Sequence, residues 1–337
     1  MAVVSESPQP SGRPARVLTG YRPTGPLHVG HWFGNIQSML ELQRTHDAFF
    51  FVADWHALTT DFDRTERLPG NIRELVLDWL AAGIDPQQAT VYLQSHVSEV
   101  AELTLLLGMI TPLGWLERVP TYKERLRDLA EREIANYGLL GYPVLQTVDI
   151  VIVRGEVVPV GEDQVAHLEL AREIVRRFNG LYGEILVEPQ AMLSETPRIP
   201  GTDGRKMSSS LGNDIRINDE PDVMRKKASS MVTDPQKIRL GDPGRPEICP
   251  VFALHRKFSP DILVETEAGC RAGTLGCVKC KQNLGERLVA HFGPFQERRR
   301  ALDPSAADDV LAAGRDKVRP VVEQTMKDVR SAMHLTT

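Results

Sequence analysis

Two spacings of apolar residues alternate along the first half of the chain. RVLTGY at 16–21 reads as a strand, and DAFFFV, opening at Asp47, reads as a second, buried one. Between them, FGNIQSMLELQRTH (33–46) carries Ile36, Leu40 and Leu42 at helical spacing. NIRELVLDWLAAG predicts a further helix, ATVYLQS (89–95) a third strand, and VVPVG (157–161) a fourth strand running into the helix of EDQVAHLELAREIVRRF. That helix sets Leu168, Ala171 and Val175 on one face, flanked by Leu170 and Ile174. Strand–helix alternation of this kind predicts the α/β class, with an open, mainly parallel, Rossmann-like sheet that takes ligands at the carboxyl ends of its strands. Beyond residue 200 the strand pattern fades. GTDGRKMSSSLGND is a Gly/Ser loop, and the remainder reads as helical, interrupted by a cysteine region and ending in a long helix that Pro320 is expected to kink.

Composition refines this picture at three points. The 337 residues, 42% hydrophobic and 25% charged, are those of an ordinary globular chain of two domains or one domain with an insertion. No apolar run approaches the ~20 residues of a membrane-spanning helix, and the Ser/Pro-rich start lacks an apolar signal core. Residues 1–16 are therefore expected to be a disordered tail, and the cytoplasm is the expected compartment. The net charge of −5 argues against a polyanionic partner, yet residues 222–300 carry fifteen Lys or Arg against nine Asp or Glu. One basic face on an otherwise acidic protein can hold nucleic acid.

The candidate chemistry begins in TGPLHVGHWFGN (24–35), between the first strand and the first helix. A triphosphate there meets helix-terminal N–H groups, Gly30 and Gly34 allow close approach, and His28 and His31 can donate hydrogen bonds to a phosphoryl oxygen. A second stretch, GRKMSSSLGN (204–213), offers Arg205, Lys206 and three hydroxyls on a loop able to close over phosphates. Together, in this order, the two resemble the HIGH and KMSKS signatures of class I aminoacyl-tRNA synthetases. VVPVGEDQVAHLELAREIVRRFN, preceded by GYPVLQTVDI (141–150), is similar to the segment of bacterial tryptophanyl-tRNA synthetases, and the resemblance runs from about Val17 to Leu335.

That resemblance implies a tryptophan–tRNA ligase with ATP, L-tryptophan and tRNA(Trp) as partners, Mg2+ entering with ATP, a homodimer, and no membrane. It places His28, His31, Lys206 and Ser208 in catalysis. It assigns ATP to Arg22, Thr24, Gly30, His31, Gly161, Asp163, Lys206 and Met207. Asp149 matches the acceptor of the indole N–H, Tyr142 and Gln164 the positions that hold the α-amino group, and Val158 and Val160 a wall of the ring pocket. His56 matches a position near the substrate, with a satisfied core histidine as the competing reading. Three departures stand out: Ser209 where many relatives have a second lysine, Arg22 where Gln is frequent, and Gln146 where an apolar residue is frequent. Gln146 is expected to make the pocket tolerant of polar ring substituents, and Arg205 to offset part of the missing lysine. A tyrosyl-type synthetase, a nucleotidyltransferase with the same His-x-Gly-His chemistry, and a weakly active paralogue with a regulatory or binding role are the alternatives.

Cys249, Cys270, Cys277 and Cys280 are the chain's only cysteines and lie within 32 positions, spaced C-x20-C-x6-C-x2-C. Four thiols of this kind are read as one four-ligand site, against buried free cysteines, and both zinc and an iron–sulfur cluster accept four thiolates. Some tryptophanyl-tRNA synthetases carry a similar arrangement around a [4Fe-4S] cluster, which favours that group over zinc. The expected organisation is a catalytic unit over 17–203, the KMSSS loop at 204–214, a helical anticodon-binding unit with the cysteine site over 215–300, and helices over 301–337 that pack back on the catalytic unit.

Overall fold

The computed structural model describes residues 13–120, 122, 136–161, 164–193 and 198–335; the expected tail lies outside them up to residue 12. Its centre is a five-stranded parallel sheet in the order β3-β2-β1-β4-β5, formed by Arg16–Tyr21, Asp47–Val52, Ala89–Leu93, Val157–Val160 and Gln190–Leu193 as β1 to β5. All four anticipated strands are present. The fifth, QAML, is short and largely exposed at the sheet edge, so it carries no apolar run to announce it.

Both faces of the sheet are covered, which is why β2 is almost wholly apolar. Val17, Phe50 and Val52 point into one core, shared with Ile36, Met39, Trp79 and the helical segment's Met224, Leu288 and Phe295. Leu18, Phe49 and Phe51 point into the other, shared with Val148, Leu168, Ile174 and Phe178. Successive strand residues face opposite ways, so one six-residue strand supplies both layers.

The helices, in chain order, are α1 Val29–His31, α2 Gln37–Thr45, α3 Asp54–Asp61, α4 Leu68–Ala82, α5 Glu99–Ile110, α6 Leu113–Leu116, α7 Tyr137–Ile152 and α8 Val165–Tyr182. After the loop come α9 Pro221–Ser230, α10 Pro250–Phe258, α11 Leu263–Arg271, α12 Cys277–Ala301 and α13 Ala306–Ala332. One expectation needs correction. The helix placed at 33–46 begins at Val29, and a π-turn over Trp32–Ile36 joins α1 to α2. The interruption expected around the cysteines is present: residues 231–249 form a loop with one 3-10 turn, ending at Cys249, and 272–276 separate α11, which holds Cys270, from the 25-residue α12, which Cys277 opens. Among the described residues no helix is long and apolar enough to cross a membrane.

The last helix returns to the sheet. Ala307 and Leu311 enter the first core, and Val318, Val322, Met326 and Val329 the second. Gly314 lets its backbone touch β3, since a Cβ there would sit 1.6 Å from the Val91 carbonyl oxygen. Arg154, held at φ 57 after α7, ties the same helix down through Thr325 (3.1 Å) and Asp328 (2.5 Å).

Candidate active site

β1 pairs with β2 on one side and with β4 on the other, and the β4 pairing consists of Val17 with Val157. Connections leave these two strands on opposite sides of the sheet, so a crevice opens at their carboxyl ends. A cavity of about 450 Å³ occupies it. On one sheet face it is lined by Leu18, Gly20, Phe51 and α7; on the other by Thr19, Gly34, Asn35, Ser38 and Met39. The π-turn turns Gly34 and Asn35 into that second lobe.

α7 presents Tyr142, Gln146, Asp149 and Ile150 to the cavity. Their spacing of four, seven and eight residues places them on one helical face. Val158, Val160 and Gly161 from the end of β4, Gln164 at the start of α8, and His56 of α3 complete the anticipated wall. Arg22 and Lys206 reach the same cavity. Arg22 bonds the Thr60 hydroxyl and lies 3.8 Å from Asp61. Asp163 lies outside the described residues.

Asp149 is 3% exposed and is the polar centre of the first lobe. His56 Nε2 lies 2.9 Å from its Oδ2, and Gln94 Nε2 donates to Oδ1 at 2.8 Å and Oδ2 at 2.9 Å. Burial pushes its carboxyl above the usual range, opposed by the bonds from His56 and Gln94. Tyr142 bonds Nε2 of the buried His167 through its hydroxyl. Neither Gln94 nor His167 was anticipated. His167 had one available signal, a polar residue one turn after Gln164 on a helix otherwise apolar on that side. Gln94 had none.

The histidine pair lies outside the cavity lining. His28 caps α1 with its side chain: Nδ1 accepts the Gly30 N–H at 3.1 Å, and His31 Nδ1 accepts the His28 N–H at 3.2 Å. Both Nδ1 atoms are acceptors, so both protons sit on Nε2. The rings stack 3.5 Å apart. Burial lowers His28 to about 4 and His31 to about 3, despite Asp214 nearby, so both imidazoles are neutral at pH 7. His28, His31, Gly30 and the exposed Thr24 do not line the cavity, but the Lys206 charge acts on His31 and connects the two.

The loop that carries Lys206 is organised by buried Asn213. Its Nδ2 donates to Asp203 Oδ1 (2.7 Å) and the Lys206 carbonyl (3.2 Å), and its Oδ1 accepts the Ser208 N–H (2.8 Å). Ser208 Oγ bonds Ser210 Oγ at 2.9 Å, and Met207 is buried. Neither Met207 nor Ser208 borders the cavity. Arg205, expected to offset the lysine missing at Ser209, is instead paired with Asp203 at 2.6 Å.

The four cysteines gather at a separate place in the helical segment. All of them line one cavity of about 20 Å³, together with Thr233, Lys237, Val251, Phe252 and Leu275. Cys249 caps α10, and His255 Nε2 lies 3.1 Å from the Cys280 carbonyl oxygen. Burial, with the neighbouring thiols, pushes Cys280 up to about 12. Among the described residues no three His, Cys, Asp or Glu side chains converge as the ligands of a single metal ion.

Residues 10–293 match the family described as tRNA synthetases class I (W and Y). A tryptophan–tRNA ligase of Aquifex aeolicus is 45% identical over 95% of this chain and the whole of its own. One of Thermotoga maritima is 47% identical over 95% of this chain and 99% of its own. Among solved structures, a tryptophanyl-tRNA synthetase of Campylobacter jejuni complexed with ADP and tryptophan superposes with a TM-score of 0.86 at 36% identity, covering 95% of this chain and 99% of that one.

Proposed function

The chain belongs to the class I tRNA synthetases of the tryptophan and tyrosine branch, and from that premise we infer which of its residues carry each step. It is a tryptophan–tRNA ligase. An oxygen of the L-tryptophan carboxylate attacks the α-phosphorus of Mg-ATP, the bond to the β-phosphate breaks, and pyrophosphate leaves. A hydroxyl at the 3′ end of tRNA(Trp) then attacks the acyl carbon, and AMP leaves with the bonding pair.

The observation that carries the assignment of roles is the buried carboxylate of Asp149 on the wall of the cavity. We assign it the indole N–H, with Val158 and Val160 against the ring and Tyr142 and Gln164 at the α-amino group. The second lobe takes the nucleotide, and we assign Gly30, Gly161 and Asp163 to it together with Arg22, Thr24 and Met207. His28 and His31 donate to the reacting α-phosphate, and Lys206 with Ser208 holds pyrophosphate as it departs. The chemistry requires positioning and charge stabilisation without a protein nucleophile. ATP–pyrophosphate exchange that depends on tryptophan and not on tyrosine tests the reading; exchange driven by tyrosine, or none with either amino acid, overturns it. Gln146 lies on the same wall, and Gln146→Met is expected to narrow acceptance of polar ring-substituted tryptophans; an unchanged preference counts against its role.

The basic stretch over 222–300 supplies the anticodon-side contacts. Exposed Leu105, Met109 and Leu113 on α5 and α6 support a homodimer through that face. Four thiols around one cavity, with the Lys237 ammonium on its wall to offset negative charge, are a donor set suited to a thiolate-bound metal group. Of the two groups that accept four thiolates, a [4Fe-4S] cluster is preferred over zinc on the family resemblance of the cysteine spacing. Cys249, Cys270, Cys277 and Cys280 would hold it, and it would serve as a clamp joining the ends of α10, α11 and α12. Cys277→Ser is then expected to lower kcat/KM for tRNA charging roughly tenfold or more, as for loss of a metal-site group, while pyrophosphate exchange stays within about twofold. An equal fall in both activities removes the clamp reading.

A further inference from the structure

We propose that Gln94 is the positioning residue that makes the first lobe demand an N–H donor from the substrate ring. The proposal rests on the tryptophan-activating reading and extends it to a residue outside every motif described above.

Gln94 follows β3 directly, at the head of a single 3-10 turn over Gln94–His96, and is 0% exposed. A wholly buried primary amide must satisfy two donors and one carbonyl. Its Oε1 accepts the backbone N–H of Trp55 at 3.0 Å and of His56 at 3.3 Å, at the first turn of α3. Its Nε2 donates to both oxygens of Asp149. The orientation of the amide follows from chemistry at both ends. Backbone N–H groups can meet only the carbonyl oxygen, and a carboxylate can meet only the NH2 group.

Two consequences follow. The same side chain holds the Asp149 carboxylate and the backbone of His56, whose ring bonds Asp149 from the other side. Both groups are thus fixed relative to one strand end before substrate arrives. A carboxylate also offers about four acceptor positions. Among the described residues Gln94 and His56 occupy three of them, and the remaining one belongs to a residue on the cavity wall. A site with one open buried acceptor favours a ring bearing one N–H and penalises an isostere without it.

The groups that bear on Asp149 are His56 and Asp54 from α3 and Tyr92 from β3, besides the neutral Gln94. Removing the Gln94 donors leaves the charged form of Asp149 with less support. The protonated form, which cannot accept in the same way, then persists to higher pH.

The test uses the full chain, tryptophan, and the alanine derivative in which a benzothiophene sulfur replaces the indole N–H. Pyrophosphate exchange by the wild type is expected to favour tryptophan by roughly 10³-fold or more. In Gln94→Met that ratio falls to about tenfold, KM for ATP stays within about twofold, and the acidic limb of kcat/KM for tryptophan moves to higher pH. Gln94→Leu likewise removes the NH2 group without placing a second carboxyl beside Asp149, so it is expected to lose the preference as Gln94→Met does. It carries the test if the Met variant does not fold. Equal losses for the two substrates, or an unmoved limb, each overturn the proposal. A wild type inactive with tryptophan would overturn the functional reading instead.

Discussion

His31→Ala is expected to lower the kcat of tryptophan-dependent pyrophosphate exchange by about 10²–10³-fold, the usual loss for one donor aimed at a charge that grows in the transition state. The expectation comes from the capping geometry of α1. The His28 N–H occupies Nδ1 of His31, and the Gly30 N–H occupies Nδ1 of His28, so each ring is left with an Nε2–H to donate. Burial holds the pair at about 4 and about 3, so neither ring carries a full charge under working conditions. The sign for pH follows. A lowered value keeps the neutral donor populated as the solution is acidified, and these rings begin to protonate only near pH 4. An acidic limb of kcat between pH 5 and 7 should therefore be identical in wild type and His28→Asn. A limb near pH 6.5 that vanishes in that variant would show that the rings act as cations and would refute the arrangement.

Asp149→Ala carries the second large effect, a fall of about 10³-fold or more in kcat/KM for tryptophan with KM for ATP changed little. Two costs combine. The substrate N–H loses its acceptor, and the wholly buried Gln94 and largely buried His56 lose theirs, each unpaired buried group costing about 1–3 kcal/mol. Steady-state exchange with each substrate varied in turn separates the arms. A loss shared equally between tryptophan and ATP would indicate collapse of the crevice rather than loss of ring recognition.

Parts of this architecture were legible because burial leaves a local mark. β1, β2 and β4 stand inside a sheet covered on both faces, and the edge strand β3 is covered by the last helix, so their sequences are rich in Val, Leu and Phe. β5 sits at an edge and shows no such run. The start of the first helix was hidden for a different reason. Its cap is an imidazole, where the common signals are Ser, Thr, Asp or Asn, and a π-turn then breaks the helical period. Resemblance to a family names Lys206, Asp149 and Tyr142, which the structure brings to one cavity, and His28 and His31, which stay outside its lining.

Local spacing along the chain by itself determined the layered α/β class and the clustering of the cysteines in sequence. The tertiary structure alone decided which groups meet. His56 is 93 residues from Asp149 and Gln94 is 55, and no periodicity relates them. They converge because the paired strands β2 and β3 end side by side, one leading into α3 and the other into the turn of Gln94, while α7 packs against α3. Closure of such long loops is fixed by the packing of whole layers, so a buried glutamine with no motif of its own could be recognised only once its neighbours were in place.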